Sequence, residues 1–255
     1  MTYLHSLILG IIEGLTEFLP ISSTAHLMLA GSWLKIPETD FIKSFDIFIQ
    51  LGAILAVVIL YFKRIITNWG LIKKLAVAFI PTAIIGLIFY KIVKTYLLGN
   101  NYIAAIALLL GGLILIWFEN SFYKQEKALS SEISYRQAFI IGCCQSLAIV
   151  PGVSRAAATI VGGLSQRIDR KTMVEFSFML AIPTMAAATG LDLIKSSWHF
   201  SQPEFSLLAL GFISAFITAL IGVKFFLKFI QKKNFIPFAW YRIILGLVVL
   251  AWLWL

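Results

Sequence analysis

Charge is scarce in this chain. Only 13% of its 255 residues are Asp, Glu, Lys or Arg, about half the share in soluble domains, whereas 60% are hydrophobic and the mean hydropathy is +0.92. That balance excludes a soluble globular domain, because a chain of this length cannot bury so much apolar surface against itself. Cysteine is scarcer still. The two present, Cys143 and Cys144, are adjacent in an apolar segment, which excludes a disulfide framework and any Cys-based metal spacing and leaves two packing thiols. Pro/Ser-rich linkers and low-complexity tracts are missing, so no second domain is expected. The basic residues give a net charge of +9 but form no stripe interleaved with aromatics, which excludes nucleic acid as a partner. A cleavable N-terminal signal is not expected, since Glu13 and Glu17 interrupt the first apolar run and no basic region precedes it.

Six apolar stretches, near 44–62, 74–93, 101–119, 173–194, 206–228 and 238–254, are long enough to cross a hydrocarbon core of roughly 30 Å as helices. Two others, 3–34 and 136–166, are broken by Leu19-Pro20-Ile21-Ser22-Ser23-Thr24 and Val150-Pro151-Gly152-Val153-Ser154-Arg155. Proline removes a helix donor and pushes its predecessor out of α geometry, so each break is a real interruption. A half-helix cannot span; each pair is expected to dip in and return, which is tolerated only where the irregular backbone lines a protein-enclosed polar cavity. The expected fold is an all-α integral membrane protein, one membrane domain over 1–255, with six transmembrane helices plus two re-entrant helical hairpins.

Counting Lys and Arg on alternate sides places fifteen on one side, among them Lys63, Arg64, Lys124, Lys127, Arg170, Lys232 and Arg242, against Lys35, Lys43, Lys91, Lys94 and Lys195 on the other. The richer side is expected in the cytoplasm. The first hairpin then enters from outside, the second from the cytoplasm, and their tips approach near the midplane. The halves also resemble one another: Gly10-Ile11-Ile12-Glu13 aligns with Gly142-Cys143-Cys144-Gln145, Ser22-Ser23 with Ser154-Arg155 and Phe45 with Phe176, at an offset of 131 to 132 residues. A hairpin plus three spans is an odd number of crossings, so repeat one (about 1–120) and repeat two (about 133–255) are expected to be inverted, with a site at their interface.

Glu13 and Glu17 lie four apart and share a helix face. Each charge at membrane depth costs about 2.5 to 3.5 kcal/mol even on the lenient scale, so Glu13, Glu17 and Arg155 argue for function. The carboxylates are expected either to bind a divalent cation, Mg²⁺ or Ca²⁺, or to share acid/base work. Ser22, Ser23 and Thr24 stand at a half-helix N-terminus, where free N–H groups and the dipole form a phosphate cradle. His26, three residues after Ser23 and four after Ser22, can turn toward either hydroxyl. Ser154 and Arg155 repeat the design from the second hairpin, with Gly152 in its turn and Thr159 one turn further on as phosphate contacts, and the Arg155 fork suits phosphate oxygens. Glu175 is read as a support for the second hairpin.

On these residues the sequence resembles the undecaprenyl-diphosphate phosphatase family associated with bacitracin resistance, over essentially the whole chain. The family's acidic motif reads here Glu13-Gly-Leu-Thr-Glu17, continuing Phe-Leu-Pro-Ile-Ser-Ser-Thr-Ala-His26, and its arginine motif reads Pro151-Gly-Val-Ser-Arg-Ala-Ala-Ala-Thr159. Ala156 departs from the serine usual in the family. The resemblance implies a metal-dependent hydrolase of the bacterial inner membrane that recycles the polyprenyl carrier of peptidoglycan synthesis, with its catalytic face outward and Glu17, His26 and Arg155 central. The expected chemistry is attack on a polyprenyl diphosphate by Ser23, then Ser22, with His26 or Glu17 as base, or by water directly. The tail is expected between spans, among membrane lipids, and a homo-oligomer is compatible with all of this. A transporter or flippase of prenyl phosphates is the second reading, since broken helices in inverted repeats are also the transporter plan.

Overall fold

Polar residues just ahead of the apolar runs start most of the helices. In this computed structural model, which describes residues 1–37, 39–97, 99–122, 129–195 and 201–254, Thr2 caps α1 (Tyr3–Thr16), Ser22 caps α2 (Ser23–Trp33), Thr39 caps α3 (Asp40–Thr67) and Asn68 caps α4 (Trp69–Ile92). A short π turn, Val93–Leu97, precedes α5 (Asn101–Phe122). Ser134 and Gln137 form a reciprocal capping box on α6 (Tyr135–Ser146), and Ser154 caps α7 (Arg155–Leu164). The chain ends with α8 (Arg170–Lys195), α9 (Gln202–Ile230) and α10 (Ile236–Trp254). Among the described residues there is no strand.

Six helices, α3, α4, α5, α8, α9 and α10, are long and apolar enough to cross a membrane. The shortest, α10, has 19 residues, about 28 Å at 1.5 Å per residue. By contrast α1, α2, α6 and α7 have 14, 11, 12 and 10 residues, too short for a core of roughly 30 Å. Each of these pairs is joined by a tight turn at the expected proline. Most of the large apolar side chains that stay exposed, such as Ile59, Ile88, Trp117, Ile221 and Ile244, belong to the six long helices, as lipid-facing surfaces require.

Close contacts between helices fall on small residues, as in other membrane bundles. α1 runs along α9, where a Cβ on Gly10 would overlap the Gly211 carbonyl; α6 runs along α4, where a Cβ on Gly142 would overlap the Ala78 carbonyl. The same contact thus occurs twice, each short helix lying on a long helix from the other half of the chain. α5 and α10 pack along their length. Under the two turns lies an aromatic core. Phe18 meets Phe178 edge-on at 5.2 Å, and Phe178, Phe226, Phe235 and Phe238 continue the cluster.

Three expectations change. Cys143 is exposed and Cys144 half-buried, so the two thiols are not both packed inside the protein. Glu175 pairs with Arg64, tying α8 to α3 rather than supporting the second hairpin. Arg242, placed at the cytoplasmic boundary because it stands near the start of the last apolar stretch, is fully buried at the hairpin turns instead. The basic excess on that side does not depend on it. Lys124 and Lys127 lie outside the described residues.

Candidate active site

Two turns meet here, and each is set by a serine in an unusual conformation. Ser22 has φ 70° and ψ 93°, and Ser154 has φ 74° and ψ 114°. Residues with a Cβ rarely adopt positive φ, at a cost of order 1–3 kcal/mol each, and such strain persists only where the surroundings over-determine it. Both serines turn the chain directly into a helix, their hydroxyls accepting from Ala25 N–H at 3.4 Å and Ala157 N–H at 3.2 Å. The first side chains of the two helices, Ser23 and Arg155, are thereby brought to the same place.

Glu17 joins them. The Ser23 hydroxyl donates to Glu17 Oε2. Arg155 approaches the other carboxylate oxygen, Oε1, from Nη2 at 3.1 Å and from Nε at 3.4 Å, while its Nη1 donates to the Ser177 carbonyl at 2.7 Å. Three of the five guanidinium N–H groups are engaged in this way, leaving one on each terminal nitrogen for an anion. Phe18 lies beneath, its ring centre 5.8 Å from the Arg155 carbon. The acid is buried and the cation's side chain only 10% exposed, and such a pair is hard to separate without a replacement partner of like charge.

Glu13, one turn before Glu17, is 0% exposed, and neither of its carboxylate oxygens has a hydrogen-bond partner. It faces Glu17 and Asp46, with Arg155 as a compensating cation. Two buried oxygens without partners are suited to a hard cation. Among the described residues no group of three or more His, Cys, Asp or Glu is assembled as a metal site. The residues present therefore fit an ion of the kind that takes one or two carboxylates and completes its shell with substrate phosphate oxygens and water, as Mg²⁺ does.

Other expected residues fall elsewhere. His26 turns away from both serine hydroxyls: Nδ1 lies 2.7 Å from the Ser22 carbonyl, Nε2 lies 2.7 Å from the Tyr241 hydroxyl, and the His26 and Tyr241 rings stack. A carbonyl only accepts, so Nδ1 carries a proton. Thr159 is held by the Arg155 and Ala156 carbonyls at 2.9 and 3.0 Å and by the Ser177 hydroxyl at 2.6 Å, beneath Arg155. Gly152, with φ 94°, packs against α5, where a Cβ would overlap the Ala104 carbonyl, and its own carbonyl is taken by Arg242. Thr24 is half-buried and makes none of the site's hydrogen bonds.

Sequence reasoning left Ser177, Tyr241 and Arg242 out. Ser177 contributes a main-chain oxygen, for which side-chain identity carries no signal. Tyr241 reaches His26 across 215 residues, beyond any local spacing rule. Arg242 did carry a signal, a charge within an apolar span.

Comparison with known proteins came to the same residues' family. The family model described as bacitracin resistance protein BacA matches residues 6–248. The chain is similar to the undecaprenyl-diphosphatase of Aquifex aeolicus, 51% identical over 253 residues and covering 98% of each chain. It is also similar to that of Sulfurihydrogenibium sp., 51% identical over 254 residues, or 99% of this chain and 100% of the other. The undecaprenyl-diphosphatase of Bdellovibrio bacteriovorus is 44% identical over 256 residues, covering 100% of this chain and 97% of the relative.

Proposed function

We propose that this chain, which belongs to the bacitracin resistance protein BacA family, hydrolyses undecaprenyl diphosphate to undecaprenyl phosphate and inorganic phosphate, at a site formed where Glu17, Ser23 and Arg155 meet. In this way it returns the lipid carrier to use and confers bacitracin resistance. It is a multi-pass membrane protein.

The carrying observation is the shared carboxylate: one oxygen of Glu17 holds the Ser23 proton and the other holds Arg155. Substrate phosphate takes up the free donors of Arg155 and those at the starts of α2 and α7. Ser23 Oγ then attacks the terminal phosphorus, its proton passes to Glu17, and the bond from that phosphorus to the bridging oxygen breaks, releasing undecaprenyl phosphate as an anion. Once Glu17 has released that proton to solvent, it takes one from a water molecule that attacks the phosphoserine phosphorus; the bond from phosphorus to Ser23 Oγ breaks, Glu17 returns the proton to Ser23 Oγ, and inorganic phosphate leaves. Of the two bases open from spacing, His26 or Glu17, the contacts favour Glu17. His26 fixes the strained turn through the Ser22 carbonyl. Ser22 and Ser154 serve as caps that aim backbone donors, and Thr159 supports Arg155 through Ser177.

Glu13 and Glu17 would hold a divalent cation, Mg²⁺ or Ca²⁺, together with diphosphate oxygens; when bound, the ion supplies charge neutralisation on the phosphates. The first isoprene units of the tail are assigned to an apolar cavity of about 390 Å³ lined by Leu15, Leu19, Ile21, Phe225, Phe229 and Tyr241. Ile21 in its lining directly precedes Ser22, and Tyr241 in its lining bonds His26. The site is read as lying between two inverted repeats and opening outward; supporting this are the exchanged contacts of α1 with α9 and α6 with α4 and the basic excess opposite the first hairpin. Phosphate release from undecaprenyl diphosphate by purified protein, lost with chelator and restored by Mg²⁺ or Ca²⁺, tests this. Lipid movement across liposomes without phosphate release would point instead to transport.

A further inference from the structure

Arg242 lies in α10, fully buried, and is absent from the chemistry above. Every one of its partners is a main-chain carbonyl. Nε donates to Leu108 O at 3.4 Å, and Nη2 lies 3.1 Å from Ala107 O; both carbonyls belong to α5. Nη1 donates to Pro20 O at 3.1 Å, in the first turn. Nη2 also reaches Gly152 O at 2.9 Å and Val153 O at 3.1 Å, in the second turn. One planar fork thus joins both turns to the same helix. The guanidinium fits because residue 111 is glycine: a Cβ there would overlap Nη2.

The carbonyls it holds are well placed to matter. Pro20 stands two residues before Ser22, and Val153 stands immediately before Ser154, the two strained serines that launch Ser23 and Arg155 into the site. Strain of this kind survives only under external constraint, and Arg242 supplies the same constraint to both turns. With four of its five N–H donors committed to carbonyls and no exposed surface, it is not itself a phosphate ligand. We infer that Arg242 is a positioning residue for the diphosphatase reaction, the clamp that fixes the two hairpin turns to one another and so holds Ser23 and Arg155 to a common point. The inference rests on the site proposed above. Lysine cannot substitute, because three donors on one nitrogen cannot reach both turns and α5 together.

The test is hydrogen exchange read by mass spectrometry on purified full-length protein without substrate, in segments covering residues 17–22 and 147–154. In Arg242→Lys both turns are expected to exchange at least about ten-fold faster, as a cooperative unit does when its common support is removed. With substrate, kcat is expected to fall about 10²-fold while KM moves less than about five-fold, because a displacement of about an ångström is felt mainly in the transition state. Gly111→Ala displaces the guanidinium while retaining it and should give the same paired loosening, which carries the test if the lysine variant does not fold. Gly246→Ala crowds the same α5–α10 interface against Leu109 and Ala105, one helical turn along α10 from Arg242 and without touching its guanidinium, and should lower thermal stability without loosening the turns. Protection unchanged in both turns, lost in one turn only, or lost equally in Gly246→Ala would overturn the clamp. Since exchange is measured without catalysis, failure of the Ser23 mechanism would show separately, as turnover retained in Ser23→Ala with both turns still protected.

Discussion

The two hairpins share a backbone and differ in chemistry. Ser22 and Ser154 cap their helices at nearly the same angles, with φ 70° and 74°, and α1 and α6 sit alike on their long partners. At corresponding positions, however, Glu13 faces Gln145, Glu17 faces Ile149, Ser23 faces Arg155 and His26 faces Ala158. The buried amide nitrogen of Gln145 donates to Thr82 and Thr184 at 2.8 and 3.1 Å while its oxygen lacks a partner, whereas at Glu13 both oxygens lack one. A strained cap in front of a half-helix is therefore a mount. What is mounted on it decides the role: in the proposed reaction, base and nucleophile come from the first hairpin and the anion-binding cation from the second.

Removing what distinguishes the two hairpins should cost most where the asymmetry carries the reaction. Glu17→Gln keeps the shape but removes both the proton acceptor for Ser23 and the charge facing Arg155; kcat should fall about 10³-fold, within the 10² to 10⁴ typical of a general base, in a phosphate-release assay. Retention of a tenth of the activity would move the base elsewhere. Next in size, Arg155→Lys preserves charge but not the fork, and a loss of about 10²-fold in kcat/KM is expected, on the scale of one oxyanion donor. Near-normal turnover there would remove Arg155 from the phosphate. The smallest effect is expected from Glu13→Gln, which installs the second hairpin's residue: activity at saturating cation should fall about 10-fold, with the cation concentration needed for half-activation rising at least as much, on the scale of losing one ligand or its support. An unchanged cation requirement would exclude Glu13 as a ligand.

Much of this comparison was legible in the sequence. The apolar stretches gave six spans to within a few residues of the helices observed, because length and hydropathy are set by the bilayer itself. The prolines located both turns, and the half-helix starts put Ser23 and Arg155 at equivalent places. Directions of side chains were less accessible. Spacing allowed His26 to reach a serine hydroxyl, but the neighbouring turn's own carbonyl and Tyr241 on α10 claim both ring nitrogens. Arg242 was assigned to an interface because hydropathy locates the end of a span and not what packs there. Gly152 was grouped with the substrate-binding residues of its motif, whereas the close approach of α5 accounts for it.

The central claim is that Ser23, with its proton held by Glu17, attacks the terminal phosphorus. It is tested most directly by rapid acid quench of wild-type protein and Ser23→Ala with undecaprenyl diphosphate labelled in the terminal phosphate. Label is expected to be trapped covalently on the wild-type chain at Ser23 and not on Ser23→Ala, with turnover in that variant lower by about 10³-fold or more, as for loss of a covalent nucleophile. Substantial turnover by Ser23→Ala, with no label trapped on either protein, would contradict it and leave water as the nucleophile.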